Sequence, residues 1–200
     1  ADQAWSNGGR AEAGFDGRVD QALYGNAQPT LARTVRILAP LADLAATQEM
    51  NEAVFWSKLV PDSEEQLRCN LADWYEVREI CSRADSALDT AAAKIHATDY
   101  DYLRFTVQQY RFMAESRIQL QAAADLYRPA CRRQSERDRA SAELNTVLSL
   151  ASTQRQTLAG LAQEFERLWL LENRPYYLDR ILQKYERQVE ALTDVVRLIK

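Results

Sequence analysis

Apolar residues recur every third or fourth position along most of this chain, and the pattern is cleanest at its end. Leu178, Leu182, Tyr185, Val189, Leu192, Val196 and Ile199 follow spacings of 4, 3, 4, 3, 4 and 3. Between Leu144 and Leu168 a similar seam runs through Val147, Ala151, Leu158, Leu161 and Phe165, broken by Gln154. A third stripe joins Leu67, Leu71, Trp74, Val77, Cys81, Ala84 and Leu88. Narrow seams of this kind belong to long helices packed at shallow angles, and no alternation longer than four residues argues for a strand. The expected fold is all-α: an antiparallel bundle of long helices behind a short Gly-rich N-terminal segment.

The punctuation places the elements. Five of the six glycines fall in the first 25 residues, which read as loop plus one short helix near Asp16–Tyr24, capped by Gly25. Pro29 opens a second helix that Pro40 kinks, and the short piece "EMNEAVFWSKL" follows. "PDSEEQ" starts the next helix, with Asp62 or Ser63 as cap. Residues 62–128 contain neither Gly nor Pro, and "HATDYDYL" is the expected reversal inside that span, with Thr98 or Asp99 as the new N-cap. Pro129 predicts an interruption within 128–137, after which a helix runs to about Glu172 and the last begins near Pro175.

Charge and cysteine content narrow the function classes. Net charge is −4, from 25 Lys+Arg against 29 Asp+Glu. That balance gives no electrostatic reason to expect nucleic acid. No apolar run is long enough to span a membrane, and nothing at the N-terminus reads as a signal peptide. Of three cysteines, Cys69 and Cys81 would lie ~18 Å apart on a shared helix, too far for a disulfide. With Cys131 the count is odd, which fits reduced thiols, a reducing compartment and a cytoplasmic location. A single histidine, His96, offers no zinc-type cluster, and no phosphate loop, dinucleotide fingerprint or HExxH occurs, so no metal or cofactor is expected.

The stretch "FERLWLLENRPYYLD", residues 165–179, is the one place where aromatic and polar residues crowd a break. Pro175 disfavours helix at Arg174, Asn173 tolerates a left-handed cap, and Pro175 suits a first helical turn. Those properties explain a helix–helix corner without a ligand, with Trp169 covering the bundle end. The functional alternative makes Trp169, Tyr176 and Tyr177 stacking faces and Arg174 a clamp for a sugar or a neighbouring domain. In "TDYDYLRFTVQQYRF", Leu103, Val107 and Tyr110 form the seam, and Tyr100, Tyr102 and Phe105 point elsewhere. "RPACRRQSERDR" reads as a solvated basic turn, His96 as a helix-end charge or cap, and the many carboxylates as surface pairs.

Two motifs together resemble a known family. "EFERLWLLENRPYYLDRIL" is similar to the C-terminal helical tail of bacterial enzymes of the glycoside hydrolase family 20 type, the β-N-acetylhexosaminidases, through Leu168, Trp169, Asn173, Arg174, Pro175 and Leu178. "ADQAWSNGGRAEAGFDGRVDQALYG" resembles the exit from the last strand of such a barrel, through Trp5 and through Phe15, Asp16, Ala22, Leu23, Tyr24 and Gly25. The resemblance implies residues 1–26 as the end of a catalytic barrel and 27–200 as a helical accessory domain. It implies a parent enzyme acting on terminal N-acetylhexosamine, with Trp5 lining the sugar pocket. The family's catalytic Asp-Glu dipeptide occurs nowhere in this chain, so the segment itself is expected to be non-catalytic. The absence of an initiator Met agrees with a segment of something longer. The partner so implied is the chain's own upstream barrel, or a second copy in a homo-oligomer, with no nucleic acid or membrane partner. A free-standing helical interaction module is the alternative. It differs in expecting the first 25 residues to fold onto the bundle.

Overall fold

The computed structural model describes residues 14–25, 31–47, 70–132 and 137–199, excepting the side chains at 127–132, 137–140, 143, 195, 198 and 199. Trp5, the Pro29 and "PDSEEQ" helix starts, the 49–59 piece, Cys69, Leu67, the Cys131 side chain and that of Ile199 lie outside the described residues. Among the described residues there is no strand. The chain runs through α1 (Phe15–Tyr24), α2 (Leu31–Leu38), a 3-10 turn (Ala39–Ala42), α3 (Leu71–Ala91), α4 (Ala97–Arg132), α5 (Arg137–Glu172) and α6 (Leu178–Ile199). The fold is an all-α bundle of long helices.

Neighbours in sequence are neighbours in space, α3 with α4, α4 with α5 and α5 with α6. Cross-helix pairs give the direction. Asp101 meets Arg167, Tyr102 meets Leu168, Phe105 meets Phe165 and Gln119 meets Gln154. From the 101–102 end to Gln119 one index climbs while the other falls from 167–168 to 154, so α4 and α5 are antiparallel. At 36 residues each, they are about 54 Å long.

The seams read from the sequence face inward. Trp74, Val77, Cys81, Ala84 and Leu88 of α3 are buried, as are Val147, Ala151, Leu158, Leu161 and Leu168 of α5 and Leu178, Tyr185, Leu192 and Val196 of α6. The central helix departs from a single stripe. Phe105 is buried beside Val107, and Phe112, Met113 and Ala114 are buried in a row. A helix covered by α3 on one side and α5 on the other buries more of its circumference than a 3–4 seam can mark. Phe105 thus lies off the 3–4 seam and is buried all the same.

Several boundaries shift. Gly25 takes the left-handed conformation at φ 66° and closes α1 with its N–H on Gln21 O. Pro40 converts α2 into the 3-10 turn rather than a kinked continuation. α4 begins at Ala97, so Thr98 and Asp99 sit inside its first turn, and Asp99 accepts a hydrogen bond from Tyr24 instead of capping. α4 continues past Pro129 to Arg132 and α5 opens at Arg137, within the 128–137 window expected for the interruption. α6 begins at Leu178, three residues past Pro175.

Gln154 interrupts the α5 seam because it is a polar residue kept inside. It is 5% exposed, and its Nε2 donates to Gln119 Oε1 at 3.0 Å. Its own Oε1 and the buried Ser116 Oγ have no partner among the described residues. A buried acceptor without a donor costs about 1–3 kcal/mol, more than the Gln119 bond and a long 3.5 Å bond from the same Nε2 to Ser116 O return. Gln154→Leu is therefore expected to raise stability by about 1 kcal/mol, since half-buried Gln119 can turn to water. Urea denaturation checks this; a lower midpoint would show that the amide contributes net stability.

Candidate functional site

The corner between α5 and α6 holds every residue of the C-terminal motif. Trp169 Nε1–H donates to Arg174 O at 3.0 Å, closing the turn with the indole. Asn173 N–H donates to Trp169 O at 2.8 Å, and Asn173 keeps a negative φ, so it is not the left-handed residue. That role falls to Tyr177, at φ 64°. Pro175 accepts from Leu178 N–H at 3.2 Å and belongs to the turn rather than to the first turn of α6. The expected assignments for Asn173 and Pro175 are thus corrected. The indole has fastened Arg174 O, and the reversal then needs its positive φ three residues on, just before the new helix.

Behind the turn lies a layer of rings. Phe165 stands 5.7 Å from Trp169, 6.0 Å from Phe105 and 5.9 Å from Tyr185, centroid to centroid. Tyr102 O–H donates to Leu168 O at 2.9 Å, and Gln109 Nε2 donates to Tyr185 O–H oxygen at 3.0 Å. Trp169 therefore spends its polar atom on the backbone and one face on Phe165. Tyr176 and Tyr177 are exposed, as are Leu170 and Leu171 in the last turn of α5, and Arg180 lies over the Tyr177 ring at 5.5 Å. Arg174 is also exposed. The structure thus separates the proposed clamp into a buttress, Trp169, and an outward apolar edge.

The N-terminal motif meets the bundle through α1. Tyr24 O–H donates to Asp99 Oδ2 at 2.7 Å, Arg36 pairs with Asp16 at 2.7 Å, and Ala32 N–H donates to buried Asp20 at 3.3 Å. His96 packs edge-on against Tyr24 at 5.1 Å, before α4 rather than at the end of a helix. On the same helix Phe15 is 49% and Leu23 57% exposed. None of these cross-helix ties has a signature in spacing, because each joins residues of different elements.

A polar cleft of about 210 Å³ between α3 and α4 is lined by Asp85, Asp89, Tyr100, Arg104 and Arg111. Arg111 pairs with Asp85, and Arg104 donates to Tyr100 O–H oxygen at 3.0 Å while lying over its ring. The cleft's charges largely answer one another. Groups displaced from their ordinary pKa lie elsewhere and are held protonated. Burial pushes the Cys81 thiol up to about 12, and burial raises Tyr110, Tyr102 and Tyr185. Tyr24 is raised by burial and then by its bond to Asp99. Hydrogen bonds to Glu164 and Asp101 raise Arg167. A general base or activated nucleophile needs the reverse for a thiol or phenol. Among the described residues, no three His, Cys, Asp or Glu converge as metal ligands. No helix among them is long and apolar enough to cross a membrane.

Fold and site together define a helical scaffold with exposed apolar edges. Comparison with protein-family models, curated proteins and solved structures returns no match.

Proposed function

We propose that this chain is a non-catalytic helical accessory domain that packs against another protein surface, and that the surface is the barrel of a glycosidase acting on terminal N-acetylhexosamine. The observation that carries the reading is helix α1. It is tied to α2 and α4 through Asp16, Asp20 and Tyr24, yet leaves Phe15 and Leu23 bare. Large apolar side chains left bare on a well-anchored helix suit a contact surface. Phe15 and Leu23 belong to the motif that resembles a barrel exit, so a barrel is the partner favoured. The protonated phenols and thiol described above supply no reacting group. Trp5, the residue expected to line the sugar pocket, lies outside the described residues.

The purified chain is expected to release no chromophore from a nitrophenyl N-acetylglucosaminide, whereas the whole gene product releases it. Turnover by the chain alone would end this reading. The second reading, a free-standing interaction module, draws support from the same three ties of α1, which fold residues 15–24 onto the bundle. An upstream reading frame without a barrel would favour it.

A further inference from the structure

The outer face of the α5–α6 pair carries a groove of about 440 Å³. Its floor includes Ala159 and Ala162 from α5 and Leu182 and Val189 from α6. Its rim carries Glu166 on the α5 wall and Glu186 and Glu190, four residues apart, on the α6 wall. All three carboxylates belong to exposed residues.

Several carboxylates elsewhere on the bundle have partners. Asp16 pairs with Arg36, Asp85 with Arg111, Asp101 and Glu164 with Arg167, and Asp194 with Arg197. The three rim glutamates take part in no ion pair or hydrogen bond among the described residues. Like charges around an apolar trough repel one another and are relieved when cations come between them. The trough has the form two helices present to a third: small residues in the middle, where a backbone can approach, and larger ones alongside. An acidic rim excludes anionic lipid surfaces and acidic peptides on charge alone.

We propose that this groove docks an amphipathic helix of a partner protein, its apolar i, i+3, i+4, i+7 stripe flanked on both sides by Lys or Arg. The proposal rests on the reading of the chain as a docking domain and adds the chemistry of a second partner surface, distinct from the bare face of α1.

The test is selection from a display library of helical peptides on the wild-type chain. Its counterpart is the variant Glu166→Lys/Glu186→Lys/Glu190→Lys, whose exposed substitutions leave the fold intact by circular dichroism. Enriched peptides are expected to share an apolar stripe with basic flanks and to lose about tenfold or more in affinity on the reversed rim, the scale of three exposed charge pairs. Their affinity should weaken with added salt. Ala162→Arg, which fills the floor, should abolish binding without restoring acidic-flanked peptides. Enrichment of neutral or acidic flanks, binding indifferent to the rim, or no enrichment overturns the proposal. Dimerisation of the wild-type chain that the reversed rim dissolves also overturns it, by making the occupant a second copy. Each of these failures leaves the sugar assay and the α1 face untouched. Turnover by the chain alone would instead remove the broader reading whatever the groove binds.

Discussion

Tyr185→Ala is expected to lower stability by about 4 kcal/mol, in the range for deleting a buried aromatic ring. The ring is 1% exposed and stands where three helices meet: on α6 itself, 5.9 Å from Phe165 of α5, and hydrogen-bonded to Gln109 of α4. Its loss opens a cavity beneath Phe165, whose other neighbours, Phe105 and Trp169, are already committed. The melting temperature should fall by roughly 10 °C for a chain of this size. Limited proteolysis should then cut first within α6, the edge helix. Tyr185→Phe keeps the ring and gives up one hydrogen bond, so its cost should stay near 1 kcal/mol. A Tyr185→Ala loss below that of Tyr185→Phe, or proteolysis that begins in α4, would show that α6 does not lean on this layer.

The second large effect is alkaline unfolding. Burial holds the Cys81 thiol up to about 12 from an ordinary 9.0, and holds the Tyr24, Tyr102, Tyr110 and Tyr185 phenols above their ordinary 10.0. Each group is an acid whose folded pKa lies above its unfolded one. Below pH 9 both states carry the proton and the stabilisation is complete. Above it the unfolded chain releases protons first, so it binds fewer than the native state and stability falls as pH rises. The urea midpoint should be level to about pH 9 and then decline, with cooperative loss of helix between about pH 10 and 12. Cys81→Ala removes the earliest titration and should delay the onset toward pH 10. Of the nine tyrosines, Tyr24, Tyr102, Tyr110 and Tyr185 should ionise in a separate absorbance phase that rises in step with the loss of helix. Ionisation of all nine in one phase near pH 10 with helix fully retained would contradict the burial described for these four.

The corner illustrates how far local chemistry reaches. That the chain breaks between Glu172 and Leu178 follows from Asn173, Arg174 and Pro175, whose backbone preferences act on immediate neighbours. Which residue takes the positive φ does not follow: it is Tyr177, three residues past the Arg174 O that the Trp169 indole holds. Phe105 shows the same limit in the core. The seam through Leu103, Val107 and Tyr110 is real periodicity, yet a helix between two neighbours buries residues off any single stripe. In α1 the cap at Gly25 was legible, whereas the bond from Tyr24 to Asp99 joins elements 75 residues apart.

By itself the sequence determined the all-helical class, the seams of α3, α5 and α6, and the neighbourhood of each reversal. Those depend on side-chain period and on the backbone limits of Gly and Pro, both local properties of a chain. Only the tertiary structure decided that Phe105, Phe165, Trp169 and Tyr185 form one layer, that Asp99 receives Tyr24, and that Glu166, Glu186 and Glu190 stand together around an apolar trough. Their spacing along the chain contains none of this, because whether a charge is paired or left bare depends on which helix faces it.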